Sequence, residues 1–307
     1  MSYAFVFPGQ GSQSVGMLAE LAQAHSVVGD VYAEASEVLG YDLWQVVQQD
    51  SDGKLNQTDV TQPAMLAAGV AVYRALCAQK ETAPAFMAGH SLGEYTALVA
   101  SGAMTLAQGI ELVAERGRLM QSAVPAGEGA MAAVLGLDDE QVMAVCASVD
   151  GIVEAVNFNS PGQVVIAGAK AAVEQAVEAA TEAGASRVVP LPVSVPSHCS
   201  LMKGAAEQLA LKLETIDMKM PTVPVLHNVH FSAAADVDEI KSLLVKQLYQ
   251  PVQWVKTVEA MKSQGVEALY ELGPGKVLMG LNRRIDRKMK VAPVLDQASL
   301  EKALTTL

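Results

Sequence analysis

Aromatic side chains are scarce in this chain: Phe, Trp and Tyr together make 5% of its 307 residues, and charged residues only 18%. With hydrophobic residues at 51%, the core has to be built mainly from Ala, Val, Leu and Met, which excludes a disordered or collagen-like chain. Cysteine is scarcer still. Cys77, Cys146 and Cys199 are odd in number and scattered, so they make neither a disulfide framework nor a zinc cluster and read as unpaired thiols in a reducing compartment. Basic residues are in deficit, 21 against 33 acidic, and the net charge of −12 argues against general nucleic-acid binding. The longest apolar stretches, such as Pro63 to Tyr73, are interrupted by Gly or charge short of the roughly 18 to 20 residues that a membrane span needs. Residues 1–7 carry no basic leader before the first turn, unlike a secretion signal. A cytoplasmic protein that binds neither membrane nor nucleic acid is therefore expected.

What is present alternates between strand and helix patterns. Tyr3 to Phe7 reads as a strand, Met17 to Leu39 and Pro63 to Cys77 as helices, and Ala85 to Ala88 as a second strand running through Gly89-His90-Ser91-Leu92-Gly93 into a helix. This rhythm predicts a parallel sheet covered on both faces. From residue 127 to 194 the order changes to β-α-β-β-α-β, with strands at Ala130 to Leu135, Val153 to Asn157, Gln163 to Ala167 and Ser186 to Leu191. That split βαβ arrangement brings its ends together and suits a small domain inserted into a larger α/β domain of residues 1–126 and 195–307. Beyond Ser197 the pattern predicts a helix, a strand at Val223 to Val229, further helix, a strand at Ala268 to Glu271, and a last helix after Gly273-Pro274-Gly275.

Gly89-His90-Ser91-Leu92-Gly93 fits G-x-S-x-G in the strand–turn–helix context that a nucleophilic serine requires. The helix start aims free N–H groups and positive dipole at charge developing beside Ser91 Oγ. A serine hydroxyl needs a base, and the chain has five histidines. His90 adjoins Ser91 and is expected to diverge from it, His25 lies in polar helical sequence, and His227 with His230 has a spacing that is poor evidence for metal. His198, in the loop where the chain re-enters the larger domain, is the chosen base. No Asp or Glu can be assigned by spacing to orient it, so a Ser-His dyad stays open. Cys199, next in sequence, is read as a buried bystander.

Thr105 to Ala123 forms a helical wheel whose apolar face holds Leu106, Ile110, Val113, Gly117 and Met120. Arg116 falls inside that face, while Arg118 falls opposite, beside Glu111 and Glu115. An inward guanidinium wants a buried anion; an acid from another segment and a bound carboxylate or phosphate are both open. The loop Gly9-Gln10-Gly11-Ser12-Gln13-Ser14 places Ser14 where a dinucleotide fingerprint needs its third glycine. It is read instead as bringing Gln10 and backbone N–H groups toward an oxyanion hole. Gly273-Pro274-Gly275-Lys276 lacks Walker spacing and reads as a turn. Arg283, Arg284, Arg287, Lys288 and Lys290 against Asp286 form a local basic patch, either a solvated helix end or a docking place for an acidic partner.

Taken together, Phe7-Pro8-Gly9-Gln10-Gly11-Ser12-Gln13, Gly89-His90-Ser91-Leu92-Gly93-Glu94-Tyr95, Glu115-Arg116-Gly117, Pro196-Ser197-His198 and Gly273-Pro274-Gly275 resemble the malonyl-CoA:acyl carrier protein transacylases of bacterial type II fatty acid synthesis. The resemblance spans nearly the whole chain. It implies a hydrolase-like α/β core with a mainly parallel sheet, an inserted ferredoxin-like α+β subdomain, and a ping-pong reaction without a resident cofactor. In it Ser91 takes the malonyl group, His198 is the general base, Arg116 holds the malonyl carboxylate, the N–H groups of Gln10 and Leu92 stabilise the oxyanion, and the Gln247 carbonyl orients His198. It also implies malonyl-CoA and acyl carrier protein as partners, with docking near Arg283, Arg284 and Arg287; a monomer is expected. A serine thioesterase using the same pair and a non-catalytic carrier-protein-binding subunit are the alternatives.

Overall fold

The computed structural model describes residues 2–193 and 195–307. Its strands in chain order are β1 (Tyr3–Phe7), β2 (Phe86–Gly89), β3 (Gly129–Leu135), β4 (Val153–Ser160), β5 (Gln163–Ala169), β6 (Arg187–Pro190), β7 (Val225–Leu226), β8 (Ala268–Leu272) and β9 (Lys290–Val294). Five of them form a parallel sheet in the order β7-β2-β1-β8-β9. Alternation along β1 builds both faces of this sheet. Phe5 and Phe7 join the larger core with Met65, Leu66 and Val70, while Ala4 and Val6 join Trp254, Val258 and Leu269 on the other side. A strand apolar on both faces belongs in a parallel sheet covered twice.

The other four strands form an antiparallel sheet in the order β4-β5-β3-β6. All lie within the span expected for the insertion, whose limit at Ser194 lies outside the described residues, as does Met1. Ala132 and Val134 of β3 face the helices Asp139–Ala147 and Lys170–Glu182. Met131 and Ala133 face the opposite way, in a cluster with Cys199. Main-chain bonds tie this sheet to Val252, just ahead of the helix Trp254–Ser263, Phe158 N–H to the Val252 carbonyl at 3.0 Å and Val252 N–H to the Val156 carbonyl at 2.8 Å. Met131 on the helix-free face lines one pocket with Gln10 and Ser91, so this face stands over the C-terminal ends of β1 and β2, where parallel sheets build their sites.

Several expectations need correction. The helix through Met17 to Leu39 is two helices, Ala19–Ala24 and Ser26–Leu39, because His25 is extended (φ −134°, ψ 105°). The helix placed at Pro63 begins at Thr58 and runs to Gln79. Pro63 is its sixth residue, past the first turn, so the helix forgoes the bond to the Asp59 carbonyl there, and burial of the whole helix offsets that loss. At 22 residues this helix is long and apolar enough to cross a membrane, contrary to the reading of its apolar run, but 83% of its most apolar window is buried in the core. The strand expected over Val223 to Val229 is reduced to Val225–Leu226. After Gly275 the helix Val277–Ile285 is followed by β9 and a further helix, Gln297–Thr306, neither of which was expected.

Candidate active site

Ser91 occupies the turn between β2 and the helix Leu92–Ala100, with φ 51° and ψ −109°. A serine held at positive φ is strained, and the surroundings must enforce it. The flanking glycines explain how close the chain comes to itself. A Cβ on Gly89 would lie 1.8 Å from the Gly93 carbonyl carbon, and one on Gly93 would lie 2.1 Å from the Phe7 carbonyl oxygen. Asn228 holds the turn from outside: its Oδ1 accepts the Ser91 N–H at 2.7 Å and its Nδ2 donates to the Gly89 carbonyl at 2.7 Å.

His198, itself at φ 67°, places Nε2 2.8 Å from Ser91 Oγ. Its Nδ1 lies 2.6 Å from the Gln247 carbonyl. A carbonyl only accepts, so Nδ1 carries the hydrogen and Nε2 is left bare to receive the serine proton. Gln247 ends the helix Val237–Gln247, so its carbonyl is among those with no partner in the helix and sits at the negative end of the dipole. A neutral carbonyl therefore stands where a triad would have an acid. Burial, and then the Arg116 charge, pull the His198 imidazole down to about 3, so it is neutral at ordinary pH.

Arg116 comes from the helix Leu106–Ser122, whose start is fixed by a capping box between Thr105 and Gln108. Its side chain points inward as the wheel required: the residue is 1% exposed, whereas Arg118 pairs with Glu115 on the outer face. Nη1 donates to Gln62 Oε1 at 2.8 Å, and Nη2 donates to Gln247 Oε1 at 3.0 Å and to Ser91 Oγ at 3.3 Å. Nε has no partner among the described residues, and the Tyr95 ring centre lies 5.1 Å from Cζ. No ion pair between Arg116 and a carboxylate forms among the described residues. The internal salt bridge left open by the sequence is absent, and neutral oxygens hold a buried cation beside the nucleophile. Such a charge costs several kcal/mol to bury, about what a bound anion would return.

Ser91, His198 and Arg116 meet at a pocket of about 130 Å³, walled on one side by Met120, Met131, Leu191, Val193 and Val195. Gln10 and Leu92 also line it. Leu92 is the first residue of its helix, where the N–H has no acceptor in the helix. His90 also lines this pocket, but its ring diverges from Ser91 as expected, with Nε2 on Asn159 Oδ1 of the small sheet at 2.7 Å. The remaining candidates are elsewhere. His25 Nε2 meets Gln297 at 2.8 Å, and Cys199 is buried with its thiol pushed up to about 12, which leaves it inert as a nucleophile. Among the described residues no group of three His, Cys, Asp or Glu could hold a metal ion.

Sequence reasoning missed Gln62, Asn228, the side chain of Gln247 and the buried Glu94. Glu94 follows the motif's last glycine, which is the one signal that could have drawn attention to it. The basic patch is partly engaged: Arg284 donates to Gln163 Oε1 of β5 at 2.8 Å, and Lys262 pairs with Asp286 at 2.8 Å, while Arg283 and Arg287 are exposed.

The family model for the acyl transferase domain matches residues 4–299. A malonyl CoA-acyl carrier protein transacylase of Escherichia coli is 54% identical over 304 residues, 98% of either chain. An acyl carrier protein S-malonyltransferase from Vibrio cholerae, solved as a crystal structure, shares 55% identity with a TM-score of 0.96, covering 99% of this chain and all of that one. A malonyl-transacylase solved in complex with a type II PKS acyl-carrier protein is 53% identical over the full length of both chains, with a TM-score of 0.99.

Proposed function

The chain belongs to the acyl transferase domain family and, within it, to the malonyl-CoA:acyl carrier protein transacylases, and from that premise we propose that it transfers malonyl from malonyl-CoA to the phosphopantetheine thiol of acyl carrier protein for fatty acid biosynthesis. The observation that carries the substrate is Arg116, a buried guanidinium next to Ser91 Oγ with no carboxylate of its own. A malonyl group supplies that carboxylate, and its thioester carbonyl then falls to Ser91.

His198 Nε2 takes the proton as Ser91 Oγ attacks the thioester carbon. The N–H groups of Gln10 and Leu92 receive the oxyanion. Collapse of the tetrahedral adduct breaks the carbon–sulfur bond, His198 returns the proton to the departing CoA sulfur, and a malonyl-Ser91 ester remains. The carrier-protein thiol then gives its proton to His198 and attacks the ester, reversing the sequence. The Gln247 carbonyl keeps Nδ1–H in place throughout, and the helix end behind it favours the transient imidazolium. Both half-reactions are acyl transfers in which malonyl-CoA and carrier protein are substrates, so no resident cofactor is invoked.

We place carrier-protein docking near Arg283, Arg284 and Arg287, take the chain to act as a monomer, and locate it in the cytoplasm, where its three free thiols are at home. Because a relative has been solved on a type II PKS acyl-carrier protein, such a carrier is the second acceptor to try. The test mixes malonyl-CoA with holo acyl carrier protein and follows the carrier's mass. Malonyl-carrier formed by the wild type and not by Ser91→Ala supports the reading; hydrolysis of malonyl-CoA with an unchanged carrier favours the thioesterase, and no reaction of either kind favours a binding subunit.

A further inference from the structure

Beneath the nucleophile lies a carboxylate that the mechanism above does not use. Glu94 is fully buried and accepts three hydrogen bonds: His227 Nδ1–H at 2.7 Å on Oε1, and Asn228 N–H at 2.9 Å and Gln247 Nε2 at 2.8 Å on Oε2. The two residues sharing Oε2 are those that grip the Ser91 turn. Asn228 accepts the Ser91 N–H and donates to the Gly89 carbonyl, and Gln247 Nε2 also donates to the Ser91 carbonyl at 3.0 Å. Both peptide groups of a residue held at φ 51° are thus fastened by amide side chains, and both residues are fastened to one acid, Asn228 through its main-chain N–H and Gln247 through Nε2.

Gln247 carries this further. Held through Nε2 by Glu94, its side chain turns Oε1 to Arg116, and its main-chain carbonyl meets His198 Nδ1–H. The amide also stands between Glu94 and Arg116, so anion and cation do not pair directly and the guanidinium stays open toward the pocket. We infer that Glu94 is a positioning residue that sets nucleophile, base and carboxylate clamp together by anchoring Asn228 and Gln247. This rests on the reading of Ser91 as the acyl acceptor. Reactions of this type lose on the order of 10²-fold in rate for misplacements of about 1 Å, which is the slack that freeing either amide would give.

The experiment measures the single-turnover rate of Ser91 acylation by malonyl-CoA, with its half-saturating concentration, in wild type, Asn228→Ala, Glu94→Ala, Glu94→Gln and Asn228→Ala/Glu94→Ala. Glu94→Gln keeps an oxygen for both amide donors and is expected within about tenfold of wild type, whereas Glu94→Ala and Asn228→Ala lose on the order of 10²-fold in maximal rate; half-saturation is little changed in Asn228→Ala and rises in Glu94→Ala, which also frees the Arg116 clamp. Because Asn228 works from an anchor that Glu94 supplies, its loss is contained in that of Glu94, and the double variant is expected no slower than the slower single one. A lesion of folding would lower the fraction acylated rather than the rate constant, and if Glu94→Ala does not fold, Asn228→Ala decides. Wild-type rates in Asn228→Ala, additive losses, or a Glu94→Gln as slow as Glu94→Ala would each overturn the inference. A wild type that forms no Ser91 adduct would instead overturn the function on which it rests.

Discussion

Arg116 Nη2 lies 3.3 Å from Ser91 Oγ, so the chain's one fully buried guanidinium among the described residues points at the proposed nucleophile. The bonds that hold it there come from the oxygens of Gln62 and Gln247, which orient the cation without discharging it. On the proposed function, the charge left over is what recognises the substrate, at the end away from the thioester.

Removing that charge tests substrate choice. Arg116→Ala is expected to lose about 3 kcal/mol, on the order of 10²-fold, in kcat/KM for malonyl-CoA, as when one member of a buried charge pair is removed. Acetyl-CoA, which has no carboxylate to place, should be affected far less. An unchanged malonyl-to-acetyl preference would refute the clamp.

The base has its own signature in pH. Burial lowers His198 from 6.5 to about 3, so above that value it is neutral and ready to accept a proton. Acylation should therefore show no acid limb near 6.5 and stay level as pH falls from 8 to about 5. Stability runs the other way. The unfolded chain binds a proton at this histidine below 6.5 that the folded chain refuses until about 3, so His198 lowers stability as pH falls through that window. An acylation rate that halves near 6.5 would contradict this.

Docking is separable from acylation. Arg283→Glu with Arg287→Glu should slow malonyl transfer to carrier protein several-fold, more at low salt, and leave acylation by malonyl-CoA unchanged. Arg284 is less suited to the test because it is engaged with Gln163. Equal effects on both half-reactions would move the docking site elsewhere.

The turn itself tolerates no added carbon. With a Cβ at Gly89 falling 1.8 Å from the Gly93 carbonyl carbon, Gly89→Ala is expected to destabilise by about 3 kcal/mol or more. Thermal unfolding compared with Ser91→Ala, which removes only a hydroxyl, would show it.

Much of this was legible in the sequence because it rests on local rules. The two-residue alternation in β1, the glycines around Ser91 and the α-helical period that turned Arg116 inward each write their constraint within a few neighbouring positions. The supports were not legible. Gln62 meets Arg116 across 54 positions of chain, Gln247 meets it across 131, and Asn228 meets Ser91 across 137. Amide side chains have no periodic signature, and only the fold brings them together. The break at His25 and the short β7 were missed for a related reason: packing against the rest of the molecule, rather than propensity, set their limits.

The most direct test of the account is the intact mass of the purified protein after mixing with malonyl-CoA in the absence of any acceptor, beside Ser91→Ala treated alike. The account predicts a single malonyl adduct on the wild type and none on the variant. An adduct of equal size on both, or malonyl-CoA left intact by the wild type, would contradict it.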